Sequence, residues 1–304
     1  MDADAPSSFT AETMALQRAF ESHRRSKSRL FSDPYADAFL RPWMRWMAIA
    51  SRIPILRGAV MRLYDAKAGP GPRPSAIVRT RVIDDALLDI VNRHQRIATA
   101  AKVGQVVLLG AGFDTRPYRL TALARTHVFE VDHPATQRTK RRVIERLGLP
   151  SDHVTYAPIN FEHDDLHDVL TTAGIDPDSP TVFVWEGVTN YLSPGAIDAT
   201  LSVIRRLSRS GHTSLIVTYV DVRALGEPSP FPEAGRWVKA VRDAGEPWTF
   251  GLHPDTAQQY FADRGYHVRS DLSTKDASRQ FVGGCRQQGS ALYRVLVADI
   301  FPSK

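Results

Sequence analysis

Apolar and polar positions along this chain follow two periods. Short strand-length runs, apolar at 105–109, 181–185 and 214–220 and more mixed at 127–132, 154–159, 266–271 and 291–300, recur along the chain. Runs of that length, bounded by turn residues, suit strands covered on both faces. Between them lie segments of helical period at 134–146, 163–172, 195–208, 235–244 and 255–264. Ser193-Pro194 marks one helix start, with Ser as the cap and Pro at the first helical position. Strands separated by helices predict a doubly wound, mostly parallel α/β sheet with right-handed crossovers. The last two strands lack a long intervening helix, which predicts an antiparallel last strand closing a seven-stranded sheet.

The N-terminal quarter reads differently. Residues 1–9 look frayed, and from Thr10 a helix sets Met14, Leu16 and Phe20 against Glu12, Thr13 and Gln17. Asp33-Pro34-Tyr35 predicts a turn and helix start. The 39–61 segment is rich in Trp, Met, Leu and Ile, too apolar for a solvated arm. It suits a lid, a substrate wall, a surface for another subunit, or plain core packing. Residues 66–76, AKAGPGPRPSA, predict a loop, after which Ser75 caps a helix over 76–95. The expected division is a helical cap over 1–74 and a sheet domain over 75–304, with a Pro-rich insertion at 221–250.

Composition narrows the setting. The 304 residues are 43% hydrophobic and 24% charged, ordinary for a globular chain. A single cysteine, Cys285, excludes a disulfide framework and fits a reducing compartment. No apolar run reaches membrane-spanning length, and the N-terminus lacks signal-peptide order, so a cytoplasmic protein is expected. The formal charge of +6 admits an acidic partner. The basic clusters at 23–29, 139–142 and 205–212 are scattered without aromatic interleaving, so they read as solvated faces and cofactor contacts. Neither DNA nor RNA is the expected partner.

The candidate chemistry starts in the 105–132 stretch. Gly110 and Gly112, around Ala111, let the backbone turn sharply after the first strand, and Asp132 ends the second where ribose hydroxyls would lie. The spacing is G-x-G-x-x-T, with Thr115 where a dinucleotide fold has a third glycine beside pyrophosphate. A nucleoside cofactor without phosphate, such as S-adenosyl-L-methionine (SAM), does not need that glycine. In an open α/β sheet, ligands bind outside the carboxyl ends of the strands. The next two strand ends carry Asn160-Phe161 and Glu186. Arg79 or Arg81, on the helix before the first strand, would pair with an amino-acid carboxylate through a bidentate fork. No P-loop, zinc spacing or Ser-His-Asp order is present.

Five strings carry a resemblance: VRTRVIDD at 78–85, VVLLGAGFDTR at 106–116, FEVDHP at 129–134, WEGVTNYL at 185–192 and GEPWTFG at 245–251. Together they resemble the leucine carboxyl methyltransferase family, in its bacterial branch of inferred SAM-dependent methyltransferases. The resemblance spans most of the chain, from about residue 11 to 299. It implies a Rossmann-like class I methyltransferase fold with an N-terminal helical cap. By position, it implies Arg81 at the SAM carboxylate, Gly110 at the methionine end, Asp132 at the ribose, and Glu186 near the amino group or substrate entrance. Asn160-Phe161 stands where the family has Asp-Leu beside adenine. Arg18 is a candidate N-terminal basic contact.

No residue stands out as a general base. Tyr191 is a further candidate at the reacting end beside Glu186, and His133 reads as structural. An ionised carboxylate acceptor needs no base, whereas a hydroxyl usually does. The expected reaction is therefore O-methylation of a carboxylate, or of an acidic hydroxyl, on a small molecule or peptide. An NAD(P)-dependent oxidoreductase and a non-catalytic SAM-binding or interaction protein are the alternatives, and the 39–61 segment offers an oligomer surface.

Overall fold

The apolar runs become strands because the chain covers both of their faces with helices. The computed structural model describes residues 9–69, 71–97, 104–160, 163–281 and 288–301. Four helices precede the sheet: α1 (Phe9–Ser22), α2 (Pro42–Arg52), α3 (Pro54–Ala68) and α4 (Pro72–Ile97). Alternation follows through β1 (Gln105–Leu109), α5 (Arg116–Arg119), β2 (His127–Asp132), α6 (Pro134–Leu147), β3 (Val154–Pro158), α7 (Leu166–Thr172), β4 (Thr181–Trp185), α8 (Pro194–Arg206) and β5 (Thr213–Val220). The chain then runs through α9 (Ala234–Asp243), α10 (Pro254–Ala262), β6 (Tyr266–Ser273), α11 (Thr274–Ser278) and β7 (Tyr293–Ile300).

The seven strands form one sheet in the order β3-β2-β1-β4-β5-β7-β6. β1 pairs in parallel with both β2 and β4, and only β7 runs against its neighbours. All residues of β1, β4 and β5 are buried, as central strands of a doubly covered sheet require. The order reverses between β1 and β4, so the carboxyl ends of β1, β2 and β4 open onto a shared crevice. One face packs Phe129, Phe183 and Leu215 against α7, α8 and α10, and the other packs Val106, Val182 and Ile216 against α4. The helices α1 and α2 and the 36–40 segment form their own apolar layer, which reaches Phe113 after β1 and Val143 and Ile144 on α6.

Three expectations change. The 66–76 stretch is not an extended loop: α3 continues to Ala68 and α4 starts at Pro72. Prolines in the first turn of a helix forfeit no hydrogen bond, since those N–H groups have no intrahelical partner. Ser75 therefore lies inside α4, where its hydroxyl accepts from the backbone N–H of Ser290 at 2.8 Å instead of capping. Asp33 does fix a turn, accepting from Tyr35 N–H at 3.1 Å, but only a short 3₁₀ segment, Ala36–Phe39, follows. Phe161, Cys285 and residues 1–8 lie outside the described residues. Among the described residues, no helix is long and apolar enough to cross a membrane.

The basic face expected on α6 hides one charge completely. Lys140 and Glu130 of β2 are both fully buried, with the ammonium 2.8 Å from a carboxylate oxygen. Charge, not aligned hydrogen bonding, holds them. Burial pushes the Glu130 carboxyl up, and Lys140 opposes that push. Removing one member of such a pair strands the other. Lys140→Met should therefore cost about 3–5 kcal/mol in urea denaturation, while Glu130→Gln with Lys140→Met should recover most of it. A single variant as stable as wild type would contradict this.

Candidate active site

The crevice at the carboxyl ends of β1, β2 and β4 deepens into a cavity of ≈910 Å³. That is near the top of the usual range of about 300–1,000 Å³ for a ligand pocket, so two small reactants fit together. Its floor is the turn Gly110-Ala111-Gly112 after β1. Gly110 has φ +70°, and a Cβ there would stand 2.4 Å from Val188 Cγ2, so the turn needs glycine for its packing as well as its backbone. Asp132, at the end of β2, is held by two backbone donors: Gly112 N–H on one oxygen and His133 N–H at 2.6 Å on the other. Burial raises its carboxyl above the ordinary value against the pull of those donors. A hydroxyl-bearing ligand would supply the hydrogen bonds that favour its charged form.

Glu186, just past β4, is the centre of an ion network. Arg79 Nε donates to one carboxylate oxygen and Arg116 Nη1 to the other, each at 2.7 Å. Arg116 also donates to Asp84 and Asp114, and Arg119 donates to Asp84 through both terminal nitrogens. Burial pushes the Glu186 carboxyl up, but Arg116 and Arg79 outweigh it and hold it below the ordinary value. Burial acts likewise on Asp114, and Arg116, Lys140 and Arg119 bring it down to about 2. A carboxylate so held stays ionised. Glu186 can meet a cationic amino group and is a weak base near neutral pH.

The remaining wall is aromatic. Trp237 stacks on Tyr293 at 5.7 Å between centroids and lies 5.4 Å from Trp248, while the Arg79 guanidinium sits 4.8 Å over the Tyr293 ring. Tyr191 lines the same wall, and burial, with Tyr293 next, pushes its phenol up to about 12. It is therefore a protonated donor at neutral pH. Asn190 beside it is 1% exposed and lines the cavity. Its backbone carbonyl accepts from Thr249 and Phe250, and its side-chain oxygen has no hydrogen-bond partner among the described residues.

The sequence-derived residues are thus placed unevenly. Gly110, Ala111, Gly112, Asp132, Glu186 and Tyr191 line one cavity. Arg81 does not: its guanidinium donates to Asp85 and to the Leu30 carbonyl, away from the cavity, and Arg79 reaches the site instead. Asn160 is not among the cavity-lining residues; its N–H donates to Asp164 at 2.7 Å. Arg18 lines the cavity while bound to Asp33 and the Phe113 carbonyl. Thr115, whose hydroxyl donates to the same Asp33 oxygen, ties that N-terminal layer to the turn after β1. His133 follows β2 as the cap of α6, its Nδ1 accepting from Ala135 N–H. Arg116 and Asn190 were not singled out from the sequence, although both stand inside the strings that carry the resemblance.

The network sets a pH dependence. Asp114 and Glu186 bind protons less readily when folded than unfolded. The stability they contribute is complete above pH about 5 and is lost as pH falls below it, for Asp114 down to about 2. Urea midpoints of the wild type should fall between pH about 5 and about 3, and Asp114→Asn should flatten that fall. Parallel curves would remove Asp114 from the account.

Comparison with known proteins gives the family and the fold. The sequence model of the leucine carboxyl methyltransferase family matches residues 11–205. A protein of Mycolicibacterium gilvum, inferred to be a SAM-dependent methyltransferase, is 34% identical over 236 residues, or 77% of this chain and 71% of that one. A protein of Streptomyces coelicolor with the same description is 33% identical over 280 residues, covering 90% of this chain and 92% of its own. A solved DUF574-family structure from Streptomyces avermitilis aligns over 97% of this chain and 98% of that one with a TM-score of 0.54 at 14% identity, a likeness of fold. By the match of that family model and by these relatives, the chain belongs to the leucine carboxyl methyltransferase family.

Proposed function

We propose that this protein is a SAM-dependent methyltransferase that methylates an oxygen of a carboxylate, or of an acidic hydroxyl, on a small molecule or peptide. The observation that carries this reading is the convergence of the Gly110–Gly112 turn, the Asp132 carboxylate and the Arg79–Glu186 pair on one cavity. SAM, when bound, supplies an electrophilic methyl group on its sulfonium. Asp132 would accept from the ribose hydroxyls, the 110–112 backbone would border the methionine chain, and Glu186 would face its amino group. Arg79 would meet the carboxylate; besides Glu186, the hydrogen-bond acceptor of its guanidinium among the described residues is the weak Met14 Sδ, at 3.2 Å. The α1–α3 helices would cap the cavity and exclude water.

The two residues expected at the reacting end, Glu186 and Tyr191, are poor bases, which supports a carboxylate acceptor. Glu186 is locked in ion pairs, and Tyr191 keeps its proton. Tyr191 can instead donate to an acceptor oxygen and orient it, so that alignment does most of the catalytic work. The dinucleotide-oxidoreductase alternative shares the G-x-G turn and the acid, but family membership and the Asp33-bonded Thr115 in the third-glycine position weigh against it. A non-catalytic role would be favoured by failure to bind SAM at millimolar concentration.

Two measurements test the proposal. Calorimetry should show SAM affinity falling about tenfold to a hundredfold in Asp132→Ala, and more in Arg79→Lys than in Arg81→Lys. Near-wild-type affinity in Asp132→Ala sinks the site assignment. Incubation with methyl-labelled SAM and carboxylic acids or host metabolites should yield label that mild alkali releases as methanol, the behaviour of an ester. Turnover should then be level above pH about 5, because the acceptor is already ionised. Alkali-stable label with a rate rising through neutral pH would point to a hydroxyl acceptor instead.

A further inference from the structure

The exposed side of the α2–α3 pair extends beyond the site, which it meets only at the cavity rim. Trp43, Trp46 and Ile49 recur at three-residue spacing on α2 and are 49%, 71% and 40% exposed. Ile53 at the hinge and Ile55, 90% exposed at the start of α3, continue the stripe. The opposite side of α2 is satisfied, with Met44 and Ala48 buried in the N-terminal apolar layer. Single exposed apolar side chains are ordinary, whereas a contiguous stripe marks an interaction surface. Leu40, Pro42, Arg45, Trp46 and Ile49 also line a groove of ≈380 Å³ on this side.

Charge selects the partner. Between residues 42 and 68 stand Arg45, Arg52, Arg57, Arg62 and Lys67 against the single acid Asp65. Arg52 pairs with Asp37, and Asp65 pairs with Arg73. Arg45, Arg57, Arg62 and Lys67 are in no ion pair among the described residues. Arg57 instead donates to the carbonyls of Ser51 and His23, which joins the α2–α3 hinge to the basic 23–29 segment, where Arg25 and Lys27 are exposed. A second copy docking on this face about a twofold axis would set the same positive charges against themselves. Nucleic acid would match the charge and leave Trp46 and Ile55 in water. An anionic lipid surface matches both, taking Trp and Ile into the headgroup–acyl boundary and Arg and Lys among the headgroups.

We propose that the α2–α3 face, bordered by the 23–29 segment, docks peripherally on an anionic lipid surface. Trp43 and Leu63 are both exposed and cavity-lining, so the docked face includes part of the cavity rim. The proposal stands independently of the methyl-transfer chemistry.

The test is co-sedimentation of the full chain with phosphatidylcholine vesicles, with and without about a third phosphatidylglycerol. Capture by the mixed vesicles, weak capture by phosphatidylcholine alone and release by salt are expected. Trp46→Glu with Ile55→Glu should lower the bound fraction about tenfold at an unchanged melting temperature, since both side chains are exposed and neither lines the cavity. Arg45→Glu with Arg62→Glu should abolish the preference for anionic vesicles. The proposal is overturned by any of three results: no capture by mixed vesicles, equal capture of the Trp46/Ile55 variant, or a dimer in sedimentation velocity that this variant dissociates.

Discussion

The ion network around Glu186 is the constraint on which the site depends. It joins α4 through Arg79 and Asp84, the turn after β1 through Asp114 and Arg116, and the end of β4 through Glu186. Buried charges are costly unless every member is paired, and here Arg116 alone bridges three acids, Asp84, Asp114 and Glu186, from different parts of the chain. The register of α4 against the sheet is thereby coupled to the shape of the cavity. The aromatic wall takes its position from the same network, because Tyr293 of β7 lies under the Arg79 guanidinium.

A second tie runs through Asp33. It accepts from Arg18 of α1 and from Thr115, and Arg18 also reaches the Phe113 carbonyl. The N-terminal helices are therefore anchored to the loop that follows β1. Thr115 appears in the sequence as a departure from a dinucleotide pattern, and its positive role is visible only once Asp33 stands beside it. Gly110 shows a similar shift: its lack of a side chain serves the approach of Val188 as well as the turn. One buried surface and one binding surface thus share the same few backbone atoms.

Burial also explains where sequence reading failed. Arg79 and Arg81 are two residues apart, about 200° around a helix, so only one can face the sheet's crevice. Nothing local distinguishes them, and α4 is too long and mixed in character for its inward face to be plain. The packing of Phe281 and Leu30 on the Arg81 side settles the phase. Lys140 poses the same problem in reverse. Within a basic helix it looks solvated, and only the adjacency of α6 to β2 brings it against Glu130. The prolines near residue 72 were read as loop-makers, although the start of a helix tolerates them equally.

What the sequence determined by itself was the alternation of buried strands and helices, the Gly110–Gly112 turn, and acids at the ends of β2 and β4. These are local properties: an apolar run, a glycine and a strand-end carboxylate carry their meaning within a few residues. Tertiary structure alone decided that Arg79 and not Arg81 enters the cavity, that Glu186 is locked between two guanidiniums, and that Trp237, Trp248 and Tyr293 form one wall. It also left Trp46 and Ile55 facing outward, where the apolar 39–61 segment by itself allowed a lid, a substrate wall, a subunit surface or core packing. Each of these depends on groups far apart in the chain, whose pairing is set by the way the helices cover the sheet and not by any local pattern.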